Sequence, residues 1–378
     1  MRNVIRLSLV TLLFAPPLVA QGQVVRKVLT RPEAEFTESF DQIQSLRELS
    51  AGRVLVTDLG PRTVVLANFS SGTVTPVGRN GQGPGEYQQP GDLIAGTADT
   101  TLLVDRASRR FLLIKPDGTM GPTVPFPDQL MGFPEPRGVD RQGRIYFQGS
   151  PFGGPGAETA EIPESVAVVR WQRGATRLDT VVTVKIPSIK MQVSNQGNAR
   201  AVMMRPQPFA AQDEWQVTTD GRVAVGRVGD YHVEWVGTGA AVVGARVAYQ
   251  PVKVDAADRA AFLSGMRNTR NRITVNVGGG GRELKPPEVN EADFDWPAVK
   301  PPFTGRGSYM APEGQLWLQH STATQDSTAM YDVFDGTGRQ TAQVTLPRGR
   351  RLVGLGQGTL YATRTDADGL QWLERYRR

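Results

Sequence analysis

Side chains that most often catalyse reactions or bind metals are sparse in this sequence. It contains no cysteine and only two histidines, His232 and His320. A zinc site needs three or four nitrogen, sulfur or carboxylate ligands at defined spacings, and no H-E-x-x-H pattern is present. The G-x-S-x-G turn that presents a nucleophilic serine is also missing. The residues therefore support neither metal-dependent nor nucleophilic hydrolysis, and a Ser/His pair that meets only in the folded chain stays open.

Two acidic stretches and one glycine run are further candidate ion sites. "DFD" from Asp293 and "DADG" from Asp366 resemble parts of a calcium loop, but the remaining ligands are not at the required spacing. Turns or solvent-facing acids are the alternative interpretation. "VGGGGR" at residues 277–282 is either an anion-binding nest of backbone amides or a flexible loop tip.

A glycine-rich stretch, "GRNGQGPGEYQQP" at residues 78–90, could hold a phosphate or join two structural units. A P-loop needs Gly-Lys-Ser/Thr at the start of a helix, whereas Pro90 is followed here by Gly91. We therefore interpret the stretch as a joint whose glycines permit positive φ angles in a tight crossing. In this interpretation Tyr87 wedges between two units, and Pro90 starts the next strand.

The elements around this joint form a repeat of short strands. A content of 42 Gly and 27 Pro among 378 residues favours turns and strands over long helices. Six units share a Gly or Asp turn followed by alternating apolar strands, and they open near Ser50, Thr97, Asp140, Thr218, Ala311 and Gly354. Between equivalent turns, Gly52 to Asp99 is 47 residues and Gly314 to Gly358 is 44.

Four short strands within about 40 to 50 residues are typical of one blade of a β-propeller. Each blade has two apolar faces that only neighbouring blades can cover, so we expect an all-β, six-bladed propeller with four-stranded antiparallel blades. The sixth unit ends after three strands. We expect the N-terminal strand "VVRKVLT" at residues 24–30 to complete it and close the ring. Two stacked β-sandwiches are the alternative, but they do not explain six similar units.

Residues 40–378 resemble exported bacterial six-bladed propeller proteins of the NHL and TolB-like kind. The joint at residues 78–90 is similar to the inter-blade signature of NHL-type repeats, and "WQVTTDGRVAVGR", "DYHVEWV", "GQLWLQ" and "YDVFDGTGRQ" support the resemblance. The resemblance implies the propeller fold. It leaves the activity open, because such propellers serve as binding modules, lyases and hydrolases alike.

Three insertions interrupt the repeat, at residues 151–163, 188–211 and 250–305. Long loops on a rigid scaffold often carry function, and a disordered excursion is the alternative. The second insertion is rich in basic residues and methionines, so it forms either an adaptable rim over the channel or a solvated loop. In the third, Asp255 as an N-cap and Phe262 and Met266 at helical spacing predict one short helix packed on the propeller.

Loops that lead into the innermost strands should converge on one mouth of the central channel, where a ligand site is expected. The candidate ligand-binding residues are Arg137, Arg205, Trp215, Arg306 and Tyr309. Arginines and aromatic rings suit anionic or sugar-like ligands, through bidentate hydrogen bonds and stacking. The alternative is that these side chains pin neighbouring blades together.

Residues 1–22 have the pattern of a cleavable signal peptide. Arg2 and Arg6 precede an apolar stretch that is too short for a membrane anchor, and small residues follow. Residues 23–378 are then a secreted or periplasmic propeller without a transmembrane segment, and the lack of cysteine removes a lipid anchor at the cleavage point. Net charge falls from +6 to +4, with 41 basic and 37 acidic residues, and the basic residues are scattered. Nucleic acid is therefore not an expected partner.

The sequence thus predicts a monomeric, non-catalytic binding or interaction module that has no cofactor. Its partner would be a small anionic or sugar-like ligand, or a protein of the cell envelope. The alternative is a lactonase-like hydrolase or a lyase that uses Ca²⁺ bound by acidic channel residues. Three or more converging carboxylates in the channel would favour the enzyme, and arginines with aromatic rings would favour binding.

Overall fold

A computed structural model describes residues 23–129, 135–151, 162–196, 199–270 and 290–378. Over these residues the backbone forms 29 strands, one α-helix and three 3₁₀ helices. The proposed signal peptide at residues 1–22, most of the insertion at residues 151–163 and the glycine run at residues 277–282 lie outside the described part.

The strands of the described residues form six main sheets, each assembled mostly from consecutive strands. The N-terminal segment contributes β1 (Val25–Val28) and β2 (Ala34–Phe40). The first sheet has β3 (Ile43–Glu48), β4 (Arg53–Asp58), β5 (Thr63–Asn68) and β6 (Thr73–Pro76). A short parallel pair follows, β7 (Arg79–Asn80) and β8 (Glu86–Tyr87). The second sheet has β9 (Pro90–Ala95), β10 (Thr101–Asp105), β11 (Arg110–Ile114) and β12 (Met120–Pro125).

The third sheet has β13 (Glu135–Val139), β14 (Ile145–Gln148), β15 (Ser165–Trp171) and β16 (Asp179–Lys185). A hairpin follows, formed by β17 (Ile189–Gln196) and β18 (Ala199–Pro206). The fourth sheet has β19 (Glu214–Val217), β20 (Val223–Arg227), β21 (His232–Val236) and β22 (Val242–Val243), and helix α1 (Ala256–Arg270) comes next. The fifth sheet has β23 (Phe303–Met310), β24 (Leu316–His320), β25 (Met330–Phe334) and β26 (Gln340–Thr345). The sixth has β27 (Arg350–Leu355), β28 (Thr359–Thr365) and β29 (Gln371–Arg377).

The innermost strands of the six sheets surround a central axis. They contact one another in the order β3, β9, β13, β19, β23 and β27, and β27 contacts β3 again. Within each sheet, consecutive strands pair antiparallel and lie progressively farther from the axis. The protein is therefore a six-bladed β-propeller, which confirms the predicted fold class.

Among the described residues, six hydrophobic clusters form the core of the propeller, and each of them lies between two neighbouring blades. Alternating apolar residues along every strand project towards both adjacent blades, because successive side chains of a strand point to opposite faces. Phe111 of the second blade, for example, packs against Phe147 of the third with ring centroids 6.0 Å apart. This arrangement explains why the chain shows six similar units and no single central core.

The outer strand of the last blade is β2, which pairs antiparallel with β29. The assignment of this position to residues 24–30 was wrong, because β1 instead runs parallel to β26 at the edge of the fifth blade. Phe36 and Phe40 of β2 are 2% and 6% exposed and fill the interface between the first and last blades. Val25 and Val28 of β1 are 62% and 68% exposed, so β1 brings little apolar area to the core.

The glycine-rich joint connects the first two blades, as predicted. Tyr87 is 1% exposed and belongs to the apolar cluster between them, and its hydroxyl accepts a hydrogen bond of 3.0 Å from the Val64 amide. Pro90 is the first residue of inner strand β9. Gly78 has a φ of +68°, and a Cβ added at this position would lie 2.7 Å from the Gly85 carbonyl oxygen, so only glycine fits there.

Two of the insertions contain regular structure at the end of the propeller where the inner strands begin. The insertion at residues 188–211 forms the β17–β18 hairpin, whereas the sequence suggested a loop. The predicted helix is present as α1, and Asp255 and Asp258 exchange side-chain to backbone hydrogen bonds at its start. Phe262 and Met266 pack against Leu263 and other apolar residues, as predicted. Among the described residues, no helix has the length and apolar character that a membrane crossing requires.

Candidate functional site

The central channel is a cavity of about 1090 Å³, and residues of all six inner strands line it. The inner strands all begin at the same end of the channel, and this end is called the near end below. A cavity of this size is at the upper limit of the volumes that hold small molecules in proteins, about 300 to 1,000 Å³. The fold therefore provides one deep site whose wall is built from rigid strands.

Among the described residues, the channel wall carries more arginines than carboxylates. The arginines are Arg47, Arg106, Arg137, Arg141, Arg222, Arg306 and Arg351. The carboxylates are Glu48, Asp92, Asp99, Asp220 and Glu313. Because the seven cations exceed the five acids, the lining residues have a formal charge of +2, and such a concave surface attracts anions.

The lining carboxylates already have partners. Asp92 pairs with Arg106 at 2.8 Å, and Asp99 pairs with Arg47 at 3.0 Å. Similar ion pairs engage Asp220 with Arg222 and Glu313 with Arg378. Glu48 accepts hydrogen bonds from Thr359, from Tyr361 and from the Gln357 amide. Each of these acids thus already has an arginine or hydrogen-bond donors as partners.

Two of the channel arginines have no carboxylate within ion-pair distance among the described residues. Arg141 and Arg351 are both exposed to the channel. Arg351 lies near the start of β27, where its Nη2 donates to the Ile43 carbonyl oxygen at 2.8 Å. This bond anchors one side of the guanidinium and leaves donors that can bind a ligand.

Arg137 reaches the channel from the third blade. Its Nη1 lies 3.0 Å from Glu214 Oε2 and donates to the Trp215 carbonyl oxygen at 3.1 Å. The guanidinium also lies over the Trp215 ring, 5.2 Å from its centroid. Arg137 is 14% exposed, so its orientation is set by these contacts while one edge faces the cavity.

Arg306 and Tyr309 enter the channel from β23, which bulges between Phe303 and Ser308. Arg306 adopts a φ of 62°, in the left-handed region, and its backbone amide donates to Glu214 Oε1 at 2.6 Å. The Tyr309 hydroxyl donates to the Leu352 carbonyl oxygen of the sixth blade at 2.7 Å. Burial raises the pKa of Tyr309 to about 12, so this hydroxyl stays protonated at neutral pH.

The structure brings three of the five predicted residues to the channel wall, namely Arg137, Arg306 and Tyr309. Trp215 has no exposed surface because it is buried between the third and fourth blades, where its Nε1 donates to Gln148 Oε1 at 2.8 Å. Arg205 lies on the β17–β18 hairpin and pairs with Asp293 at 3.2 Å, and it is not among the described lining residues. Trp215 and Arg205 are thus not among the described residues that line the channel, and ligand binding by all five residues stays a prediction.

Sequence reasoning missed Arg351 and Glu214. Arg351 belongs to a run of basic residues after the fifth blade, and its place as the second residue of an inner strand could have identified it. Glu214 precedes Trp215 as the first residue of β19. A charged residue at that position of a buried strand is the signal that was available.

The two histidines occupy separate places outside the channel lining. His232 pairs with Asp230 at 2.7 Å on the fourth blade. His320 lies 3.2 Å from the buried Asp332, which also accepts hydrogen bonds from Tyr231 and two glutamines. Burial opposes ionisation of Asp332, but the hydrogen bonds led by that of His320 lower the pKa of its carboxyl below the ordinary value.

A calcium site would need several oxygen ligands that converge on one point. Within the described ranges, no group of three or more histidine, aspartate or glutamate side chains is placed to hold a metal ion. Asp366 instead accepts bonds from the Asp368 and Leu370 amides in a turn. The described residues therefore do not supply the acidic set on which the calcium alternative depends.

The fold and the channel define the class of this protein as a six-bladed β-propeller with an arginine-rich channel. No family model matches the chain, and no curated protein matches its sequence. Among solved structures, it is similar to a gluconolactonase from Xanthomonas campestris, with 13% identity, 96% of this chain and 99% of that chain covered, and a TM-score of 0.43.

A candidate exported protein from Bacteroides fragilis is 11% identical, with 94% of this chain and 99% of that chain covered and a TM-score of 0.49. The calcium-binding protein regucalcin from Agrobacterium tumefaciens is 12% identical, with coverages of 94% and 98% and a TM-score of 0.42. Likeness at this level carries no argument about activity.

Proposed function

We infer that the protein is an extracytoplasmic, monomeric, non-catalytic binding protein that takes a small anionic ligand into the near end of its channel. One observation carries this proposal. Arg137, Arg306 and Arg351 reach the same cavity from the third, fifth and sixth blades, while the carboxylates of the wall are already bonded.

Arginine suits this role because its planar guanidinium offers several donors that match carboxylate or phosphate oxygens. Each hydrogen bond to a charged group contributes about 1.5 to 3 kcal/mol. Tyr309 adds an aromatic surface at the same wall. A sugar acid or a compact polycarboxylate therefore suits the charge of the cavity and is small enough to enter it.

A calorimetric titration tests the proposal. The purified protein is titrated with citrate, glucuronate and inorganic phosphate, and with glucose as a neutral counterpart of glucuronate, in buffer that contains a chelator. We expect at least one anion to bind, glucose not to bind, and the affinity to fall as salt increases. Binding of glucose as tight as that of glucuronate would contradict the proposal.

A charge-removing variant locates the site. Arg351→Gln should weaken anion binding about 10- to 100-fold, because it removes one charge-assisted hydrogen bond of about 1.5 to 3 kcal/mol. Arg31→Gln removes the same charge from an exposed position outside the channel and should leave the affinity unchanged. Equal losses in both variants would show that only the overall charge matters.

The alternative functions predict different results. A calcium-dependent hydrolase would turn over lactones or esters and lose activity in the chelator. An interaction module for an envelope protein would bind none of the small anions and would retain its partner after the Arg351→Gln change. Either result would replace the proposal.

A further inference from the structure

Glu214 is a buried carboxylate directly behind the channel wall. It is the first residue of β19, and none of its surface is exposed. Its Oε1 accepts from the Arg306 amide at 2.6 Å and from Gln212 Nε2 at 2.7 Å. Its Oε2 accepts from Ser308 Oγ at 2.6 Å and faces Arg137 Nη1 at 3.0 Å. All the strong acceptor positions of this carboxylate are thus in use.

These bonds connect three blades. Arg137 belongs to the third blade, Glu214 to the fourth, and Arg306 and Ser308 to the fifth. Two of the four groups bonded to Glu214 belong to arginines that line the near end of the channel. The position of one guanidinium and the backbone of the other arginine therefore depend on the same carboxylate.

Stability alone does not explain a charged residue at this place. A buried ion pair loses the hydration of both charges, and well-packed apolar residues of similar volume often stabilise a protein as well or better. The neighbouring interfaces between blades are filled by apolar side chains. The carboxylate also holds Arg306 at a φ of 62°, a conformation that is unfavourable for arginine.

We propose that Glu214 is the positioning residue of the anion site: it fixes the Arg137 guanidinium against Trp215 and the left-handed backbone of Arg306 before a ligand arrives. The inference rests on the proposed function. An arginine that is already ordered loses less freedom on binding, so pre-orientation raises affinity without a direct contact to the ligand. The negative charge of Glu214 is offset by the positive charge of Arg137, so the pair carries no net charge.

Glu214→Gln is the matched test of this role. The amide oxygen can keep the bonds from the Arg306 amide and from Gln212, whereas the amide nitrogen takes the place of Oε2 and faces Arg137 with donors only. We expect the affinity for the best-binding anion among citrate, glucuronate and phosphate to fall about tenfold, because the Arg137 side chain is no longer held in one orientation before binding.

Asp213→Asn is the control, because Asp213 is a second buried carboxylate one position earlier. It is 8% exposed and bonds the Lys185 and Val228 amides and Arg227, all outside the channel lining. Asp213→Asn should lower the melting temperature and leave the affinity of the folded protein unchanged. Equal loss of affinity in both variants would overturn the positioning role.

A second variant guards against a Glu214→Gln protein that fails to fold. Gln212→Met removes one donor to Glu214 without altering a residue of the channel lining, and it should weaken binding about threefold. Unchanged or tighter binding in the Gln212 and Glu214 variants would refute the positioning role.

If the wild-type protein binds none of the anions, the proposed function fails as well. If it binds and only the Glu214 prediction fails, the channel site stands without this residue.

Discussion

The closure of the propeller by β2 predicts that Phe36→Ala destabilises the whole ring. Phe36 is 2% exposed, and its ring lies 5.3 Å from the Phe69 ring and 6.0 Å from the Phe40 ring, between the first and last blades. Truncation of a buried phenylalanine to alanine costs about 3 to 5 kcal/mol, from the lost transfer free energy and the cavity left behind. Domains have unfolding free energies of about 5 to 15 kcal/mol, so this loss is a large fraction of the total stability.

The loss of unfolding free energy is measured by urea unfolding, followed by tryptophan fluorescence. The unfolding rate is measured in the same way. Val28→Ala in β1 is the matched control, because Val28 is 68% exposed at the outer edge of the fifth blade. It should change the unfolding free energy by less than about 0.5 kcal/mol. If Phe36→Ala costs under about 1 kcal/mol, or if Val28→Ala costs as much, the ring is not closed by β2.

Three further predictions concern buried charge and backbone crowding. Because the folded-state pKa of Asp332 is lowered, its stabilising contribution is present above its unfolded pKa of about 4 and is lost as pH falls through the folded value. Asp332→Asn should therefore lower the urea midpoint more at pH 7 than at pH 3. Gly338→Ala should cost at least about 1 to 3 kcal/mol by thermal melting, because φ is +78° and the new Cβ would lie 2.5 Å from the Val233 carbonyl oxygen. Lys300 pairs with the buried Asp258 at 2.6 Å. Lys300→Met leaves the charge of Asp258 unpaired and should lower the unfolding free energy by about 3 to 5 kcal/mol. Limited proteolysis should then cut α1 faster than in the wild type, and unchanged cutting would exclude a role of this pair in docking the helix.

The blades were predictable because local signals repeat. Turn glycines such as Gly52 and Gly314 have positive φ angles, and the apolar alternation between them encodes two packed faces in each blade. The joint and helix α1 were predictable for the same reason. Tyr87 and Phe262 stand at positions that local spacing alone assigns to packing.

The closing strand was not predictable from apolar content. In β2 the sequence "AEFTESF" places charged and polar residues between Phe36 and Phe40, as edge strands commonly do. By contrast, "VVRKVLT" has more apolar residues but runs along an already complete blade, with Val25 and Val28 exposed to solvent. Which segment fills the last edge depends on the fit of two phenyl rings between distant blades.

The channel residues were predictable only in part. Trp215 and Glu214 are neighbours on β19, and a shift of one residue decides which side chain faces which side of a strand. The sequence does not fix that register. The hairpin that carries Arg205 is directed by its pairing with Asp293, almost ninety residues away, which no local pattern reveals.

The most direct test of the anion-binding channel is a crystal structure of the protein grown with the tightest-binding anion. We expect ligand density at the near end, within hydrogen-bond distance of Arg137, Arg306 and Arg351, and little movement of the inner strands. Density on the outer surface or beside Arg205, with the channel occupied by water alone, would contradict it.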